Sequence, residues 1–239
     1  MTKQFTSVWL REPRQPKESG LRLDHIVGAA VELLDAEGLD ALSMRKIGAK
    51  LGAGATSLYW YVGNKDELLE WVLDEFWSMV EVPEPDQAPW REVLTVFAYN
   101  FRETLRAHPW AATLIGQLPS MGPNALRLTD RLRRAYLAAG FHGIDIYLAS
   151  GTVMSYVLGV MMPEIAWTKT YGHEEIERAE MLTMMEHAAA DFPELMADYR
   201  ETAPTDWDTA RAMAFDFGLL CLLDGLERRL DGKPQGNSS

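Results

Sequence analysis

The stretch Ala41-Leu42-Ser43-Met44-Arg45-Lys46-Ile47-Gly48-Ala49-Lys50-Leu51-Gly52, continued three residues later by Thr56-Ser57-Leu58-Tyr59-Trp60-Tyr61-Val62-Gly63-Asn64-Lys65, decides the fold. Ser43 is a residue type that caps helix N-termini, and Ile47 and Leu51 form an i, i+4 apolar pair behind it. Gly52-Ala53-Gly54 breaks that helix, and a second short one covers about Ala55 to Tyr61. Val62-Gly63 ends it, and Asn64 followed three residues later by Glu67 is a capping-box signature for the next helix. Helix, glycine-containing tight turn, helix is the plan in which the second helix lies in the DNA major groove and the first braces it. Ile47 and Leu51 can meet Leu58 and Val62, and Gly52 supplies a positive-φ turn residue. Gly48, mid-helix, costs about 1 kcal/mol relative to Ala in helix propensity, which a close approach of the next helix would explain. With Leu58 and Val62 turned inward, Thr56, Ser57, Tyr59, Trp60 and Tyr61 face outward or sideways. Adjacent aromatics beside small hydroxyls suit thymine methyls, sugars and phosphates.

The charge distribution agrees with that placement, although the total does not. The 239 residues carry a net charge of −12. Residues 1–65 hold 9 Lys/Arg against 7 Asp/Glu, whereas residues 66–239 hold 14 against 28. Residues 41–65 contain four bases (Arg45, Lys46, Lys50, Lys65) and no acid, and residues 1–22 contain five bases against two acids. A basic head on an acidic body binds a polyanion at one end, and the acidic remainder limits non-specific DNA binding.

Outward from the motif only helices are predicted. Residues 1–20 hold Pro13, Pro16 and Gly20 without a period and read as a flexible basic arm. Leu23, Ile26, Val27, Ala30, Val31, Leu33 and Leu34 form one wide apolar helix face that stops at Gly38. A longer helix runs from Lys65 to the break at Val82-Pro83-Glu84-Pro85. Further helices are expected over Trp90 to Ala107, Trp110 to Leu118, Pro123 to Ala139, Ile144 to Trp167, Glu174 to Ala190 and Asp206 to Leu230, with residues 232–239 a disordered tail. The expected class is all-α: a three-helix head over 21–66 and a larger helical body over 67–231. The lone cysteine, Cys221, sits in the run Leu219-Leu220-Cys221-Leu222-Leu223 and reads as a small buried hydrophobe. No apolar run reaches the roughly 18 residues of a membrane span and the start is not a signal peptide, so a cytoplasmic protein without membrane contact is expected.

The motif closely resembles the DNA-binding domain of the tetracycline-repressor (TetR) family over about Leu21 to Phe76, through Leu58-Tyr59-Trp60 followed five residues after the tryptophan by Lys65. A weaker likeness continues through the helical body. The resemblance implies that Ser43 and Arg45 lie at the start of the bracing helix, Arg45 on a guanine or a phosphate. It places Thr56, Ser57 and Tyr61 at base edges and has Tyr59, Trp60 and Lys65 clamp phosphates, Lys65 from a helix N-terminus that also attracts anions. The rival readings are core aromatics for Tyr59 and Trp60 and a solvated charged face for Arg45 and Lys46. Ala53 and Gly48 depart from the family's usual Val or Ile and Ala. Met44 and Ala55 replace polar side chains that read bases in the tetracycline repressor, so its operator does not carry over.

In that family the body senses a small molecule and holds a dimer. Phe97, Phe101, Trp110, Leu114, Ile115, Leu118, Met154 and Met161 are the candidate effector walls, with ordinary core packing as the alternative for each. Eight of the twelve methionines lie after residue 150, a composition suited to a pocket that repacks around its guest. Ile115, Leu118, Glu81 and Phe97 fall where the tetracycline repressor uses polar groups around a metal–drug chelate, which points to a more apolar effector. Gly151, Ser155 and Gly159 form a small-residue stripe, and Gly218, Leu222 and Gly225 lie along the last helix; these are the candidate dimer contacts, with packing inside one subunit as the rival account. A dimer would read a palindromic double-stranded operator.

The alternatives are a small helical enzyme and an interaction module with a relic head. The five histidines show no i, i+3 or i+4 pair, and neither His-Glu-x-x-His nor a phosphate-cradling Gly-Lys-Ser/Thr loop occurs. Glu174, Glu175, Glu177 and Glu180 beside His173 read as a solvated face. No catalytic residue, metal site or cofactor is therefore expected, and the reading is a ligand-released homodimeric repressor.

Overall fold

A computed structural model describes residues 7–10, 21–172 and 177–231. Every regular element among them is helical. Contacts group the chain into two compact units, 1–162 and 163–239.

In the first unit, α1 (Leu23–Glu37) buries Ile26, Val27, Ala30, Val31 and Leu34, the face that the periodicity defines, and Gly38 at φ 77° ends it. A 3-10 turn leads to α2 (Met44–Lys50) and α3 (Ala55–Leu58). The expected helix to Tyr61 is a single α-turn followed by irregular turns, because Val62 folds inward under Leu58 and the chain must leave the helix there. α4 (Lys65–Ser78) starts at Asn64, whose side chain accepts from the Glu67 N–H at 2.9 Å. The Glu67 carboxylate reaches back to the Gly63 N–H at 2.8 Å, one residue earlier than the capping box prescribes. α5 (Trp90–Ala107) and α7 (Pro123–Ala139) have the expected bounds; α6 (Trp110–Ile115) is shorter by three residues. α4 packs against α1, α6 and α7.

Two expectations are corrected here. Within the stretch read as a flexible arm, Ser7 to Leu10 are docked: Ser7 is buried, its hydroxyl donates to Glu70, and the Trp9 ring lies 4.4 Å from that of Trp71. Composition hid this because one tryptophan outweighs several prolines once it finds an aromatic partner. Residues 1–6 and 11–20 of that arm lie outside the described residues, as does the tail 232–239. The second correction concerns α8 (Ile144–Tyr171), which is long and apolar enough to cross a membrane by length and composition. Its charges, Asp145, Glu164 and Lys169, lie toward its ends, and glycine, serine, threonine and tyrosine punctuate the stretch between Asp145 and Glu164.

The second unit holds the end of α8, from Pro163, with α9 (Arg178–Ala188), α10 (Pro193–Thr202) and α11 (Trp207–Asp231). The predicted helix from Glu174 to Ala190 is described only from Arg178, and α10 was not expected at all. Its start, Phe192-Pro193, reads as a joint, yet proline at the first helical position is also a helix opener. Arg200 ties α10 to α9 through a two-nitrogen contact to Glu186 at 2.8 and 3.1 Å.

Candidate DNA-reading head and effector region

Ser43 caps α2 by accepting from the Lys46 N–H at 3.3 Å. Ile47, Leu58 and Val62 are fully buried and fix α2 against α3, while Leu51 is half-buried. Gly48 packs as its position in mid-helix requires: a Cβ there would stand 2.6 Å from the Ala53 carbonyl oxygen and 3.3 Å from the Ala55 nitrogen. Gly52 takes φ 62°, as the turn demands. With the hinge so tight, Thr56 and Ser57 are exposed, Tyr61 is half-buried, and Tyr59 and Trp60 are 48% and 52% exposed. The core reading of those two aromatics therefore fails. Met44 is buried, which accounts for an apolar residue where the tetracycline repressor reads bases.

The run without acids in sequence is not without them in space. Lys46 pairs with Glu37 and Lys50 with Glu32 (2.7 Å), both carboxylates coming from α1. These two lysines fasten the bracing helix to α1. Arg45 is exposed, and the Lys65 ammonium lies 3.4 Å from the Leu39 carbonyl oxygen at the head of α4. Arg45 and Lys65 are the two cations of the run without a carboxylate contact among those described.

Two carboxylates join helices that are far apart in the sequence. Asp35, at the end of α1, accepts from His108 Nδ1 and from Trp110 Nε1, each at 2.7 Å, at the corner between α5 and α6. Trp110, a candidate effector wall, is buried and gives its indole N–H to this joint. Asp74 on α4 is 5% exposed and accepts from the Asn124 and Ala125 N–H groups at 3.1 and 3.0 Å, capping the N-terminus of α7. Burial pushes its pKa above the ordinary carboxylate value, against the lowering effect of those two bonds. Neither aspartate is flagged by any motif, since each partner lies at least 50 residues away in sequence.

Among the remaining effector candidates, Phe97, Phe101, Leu114 and Met161 are buried, and Ile115, Leu118 and Met154 are half-buried. Phe97 and Phe101 stack at 5.6 Å, and Trp77 continues the ladder 5.4 Å from Phe101. Beside that ladder is a cavity of about 260 Å³ lined by Trp77, Ser78, Val80, Glu81, Val82, Asn124, Arg127, Leu128 and Arg131. None of the eight predicted residues lines it; Trp77 is the shared wall. The Tyr136 hydroxyl on α7 is buried near Ser150, and burial pushes its pKa up against the lowering effect of that neighbour.

On α8 the stripe Ile144, Tyr147, Leu148, Gly151, Ser155, Gly159 and Met162 is exposed. A Cβ at Gly151 or Gly159 would meet nothing within 4 Å, so packing inside the chain does not explain these glycines. On α11 the buried face is Phe215, Leu219 and Leu223, and the exposed apolar stripe is Met213, Phe217 and Leu220. Gly225 is exposed, while Gly218 and Leu222 are half-buried at the edge of that stripe. Cys221 is exposed, correcting its reading as a buried residue. An unbroken apolar run has no face of its own, so sequence alone cannot say which third of it turns outward.

Comparison with known proteins matches this architecture from both ends. Residues 26–72 match the model of bacterial regulatory proteins of the tetR family, and residues 82–230 match the tetracyclin repressor-like C-terminal domain. An HTH-type transcriptional regulator of Saccharopolyspora erythraea is 37% identical over 221 residues, 92% of this chain and 91% of the relative. The HTH-type transcriptional repressor DrrR1 of Streptomyces coeruleorubidus is 33% identical, over 91% of this chain and 81% of its own length. The crystal structure of the TetR family protein ActR of Streptomyces coelicolor, in complex with actinorhodin, superimposes with a TM-score of 0.74 at 29% identity and covers 89% of this chain and 99% of that one. The helical enzyme and the bare interaction module are therefore not favoured, and the chain belongs to the TetR family of transcriptional regulators as a ligand-responsive, DNA-binding repressor.

Proposed function

We propose that two copies of this chain hold a palindromic operator and release it when a largely apolar molecule enters the body. The observation that carries the DNA half is the pair of half-exposed aromatics, Tyr59 and Trp60, beside exposed Thr56 and Ser57 on a turn locked by Gly48 and Gly52. Half-exposed aromatics beside small hydroxyls on a rigid turn suit base edges, sugars and phosphates. In this reading Ser43, Arg45, Thr56, Ser57 and Tyr61 face the groove, and Tyr59, Trp60 and Lys65 grip the backbone. Residues 21–66 are the reading head and 67–231 the sensing and pairing body.

For the effector, the ladder Phe97–Phe101–Trp77 favours a flat aromatic guest, entering through the adjoining cavity and spreading the ladder and Leu114, Ile115, Leu118, Met154 and Met161. Arg127 at the cavity suits a peripheral oxygen on that guest, while Arg131 is held by Glu84 at 2.6 Å. For the dimer, the bare stripes of α8 and α11 offer twofold packing against a second copy. A lipid partner for α8 is disfavoured, since it is one helix with a buried opposite face carrying Ala149, Val153 and Val157. Operator DNA places the protein in the cytoplasm.

The test is selection of bound duplexes from a random pool at physiological salt. Recovery of a palindrome, with half-sites about one DNA turn apart (roughly 34–36 Å), supports the reading. No enrichment, from protein refolded to strip bound ligand, overturns it.

A further inference from the structure

Residues 7–10 lie upstream of both family-matched segments, 26–72 and 82–230, yet they are built into the joint between the lever helix and the body. α4 leaves the reading head at Lys65 and carries two buried carboxylates one turn apart, Glu70 and Asp74, 6% and 5% exposed. Asp74 is satisfied by the first turn of α7. Glu70 is satisfied from elsewhere: Ser7 donates its hydroxyl and Val8 its backbone N–H at 3.2 Å, with the Trp9 ring tilted against that of Trp71, the next position of α4, at 4.4 Å and 59°. The three elements converge at Gly122, the N-cap of α7, where a Cβ would overlap the Asp74 carboxyl group and lie 2.6 Å from Trp9 Cζ2. Only glycine lets the tryptophan, the lever and the start of α7 occupy one place.

We propose that Ser7–Leu10 is a strap that fixes the angle of α4 against α7 and thereby positions the reading head. Moving α4 along α7 strips the buried Glu70 carboxylate of its donors or drags the strap with it, and an undonated buried carboxylate is costly. The strap thus biases one head position. Repressor activity requires one head position because a dimer accepts only operators whose half-site spacing matches its two heads.

The effect on DNA rests on the operator reading above, so the experiment has an arm that does not use DNA. Hydrogen exchange over residues 65–78 is compared for the full-length protein and its Trp9→Ala and Gly122→Ala variants, followed by duplex selection on each. Expected are about tenfold faster opening of α4 in both variants, the factor that 1.4 kcal/mol represents. Helix content should be unchanged, and the range of half-site spacings recovered should widen. Adding a synthetic peptide of residues 1–10 to a chain that begins at residue 11 should narrow that range again. Unchanged exchange in Trp9→Ala overturns the docking of the strap on the lever. Faster exchange with an unaltered spacing profile overturns its role in positioning, leaving it a patch on the body. A wild-type protein that selects no duplex overturns the operator reading, while the exchange arm still decides whether the strap holds α4.

Discussion

At the scale of single residues, exposure separates the side chains that build the head from those that can meet DNA. Trp60→Ala should weaken operator binding by about 1–2 kcal/mol, a common cost for an exposed aromatic anchor, and leave the melting temperature within error. Unfolding of that variant would contradict its 52% exposure. Arg45 and Lys65 can be told apart by salt. Lys65→Ala should lower affinity evenly across sequences and flatten the salt slope by about one, whereas Arg45→Ala should relax the preference at one base pair if it meets a guanine. Gly48→Ala tests the tight turn. Helix propensity alone forecasts a gain of about 1 kcal/mol, but the 2.6 Å approach to the Ala53 carbonyl oxygen should turn that into a loss of about 1–3 kcal/mol in denaturant unfolding. Gly48 and Gly52 were legible because a glycine in mid-helix or at a break asks for a backbone explanation. The pairing of Lys46 and Lys50 with α1 was not, because ion pairs between elements leave no local signature.

At the scale of elements, the carboxylates of α1 and α4 govern how the head is carried. Asp74→Ala strands the Asn124 and Ala125 N–H groups and should cost about 1–3 kcal/mol, while Asp74→Asn keeps an acceptor and should cost less. The pH dependence has a definite sign. Asp74 has its pKa raised in the fold by burial, so the folded chain holds that proton more tightly than the unfolded chain. Its contribution to stability is greatest below the unfolded value of 3.8 and is lost as pH rises through the raised folded value. Melting temperatures of wild type relative to Asp74→Asn should accordingly rise on acidification from neutral pH; a constant difference would refute the assignment. Helices α1, α4, α5 and α7 were legible because each has a polar or glycine stop at its ends and one apolar face. The joints between them were not. Asp35, Glu70 and Asp74 are acids on amphipathic helices, and only the folded chain shows that Trp110, Val8 and the start of α7 stand opposite them. The docked Ser7–Leu10 segment was obscured for the same reason, its partners lying more than 60 residues away.

At the scale of the whole molecule, the question is what covers the apolar stripes that the single chain leaves in water. The candidates read from the sequence, Gly151, Ser155 and Gly159, lie on the exposed stripe of α8; on α11 Gly225 is exposed and Gly218 and Leu222 are half-buried, while the large exposed apolar side chains are Met213, Phe217 and Leu220. Because α11 is apolar on more than one face, only packing distinguishes inside from outside. Glutamates at Gly151 and Gly159 give a direct test, since a side chain there meets nothing within 4 Å in the chain itself. If a second copy covers this stripe, the double variant should sediment as a 26.9 kDa monomer with its helical content kept. It should also lose operator affinity by about a hundredfold or more, the avidity that two linked heads provide. Its affinity for an isolated half-site should be unchanged, because Gly151 and Gly159 lie outside the reading head, residues 21–66. A double variant that remains dimeric and binds the full operator would move the interface off α8, and the α11 stripe around Phe217 would then be the face to charge next.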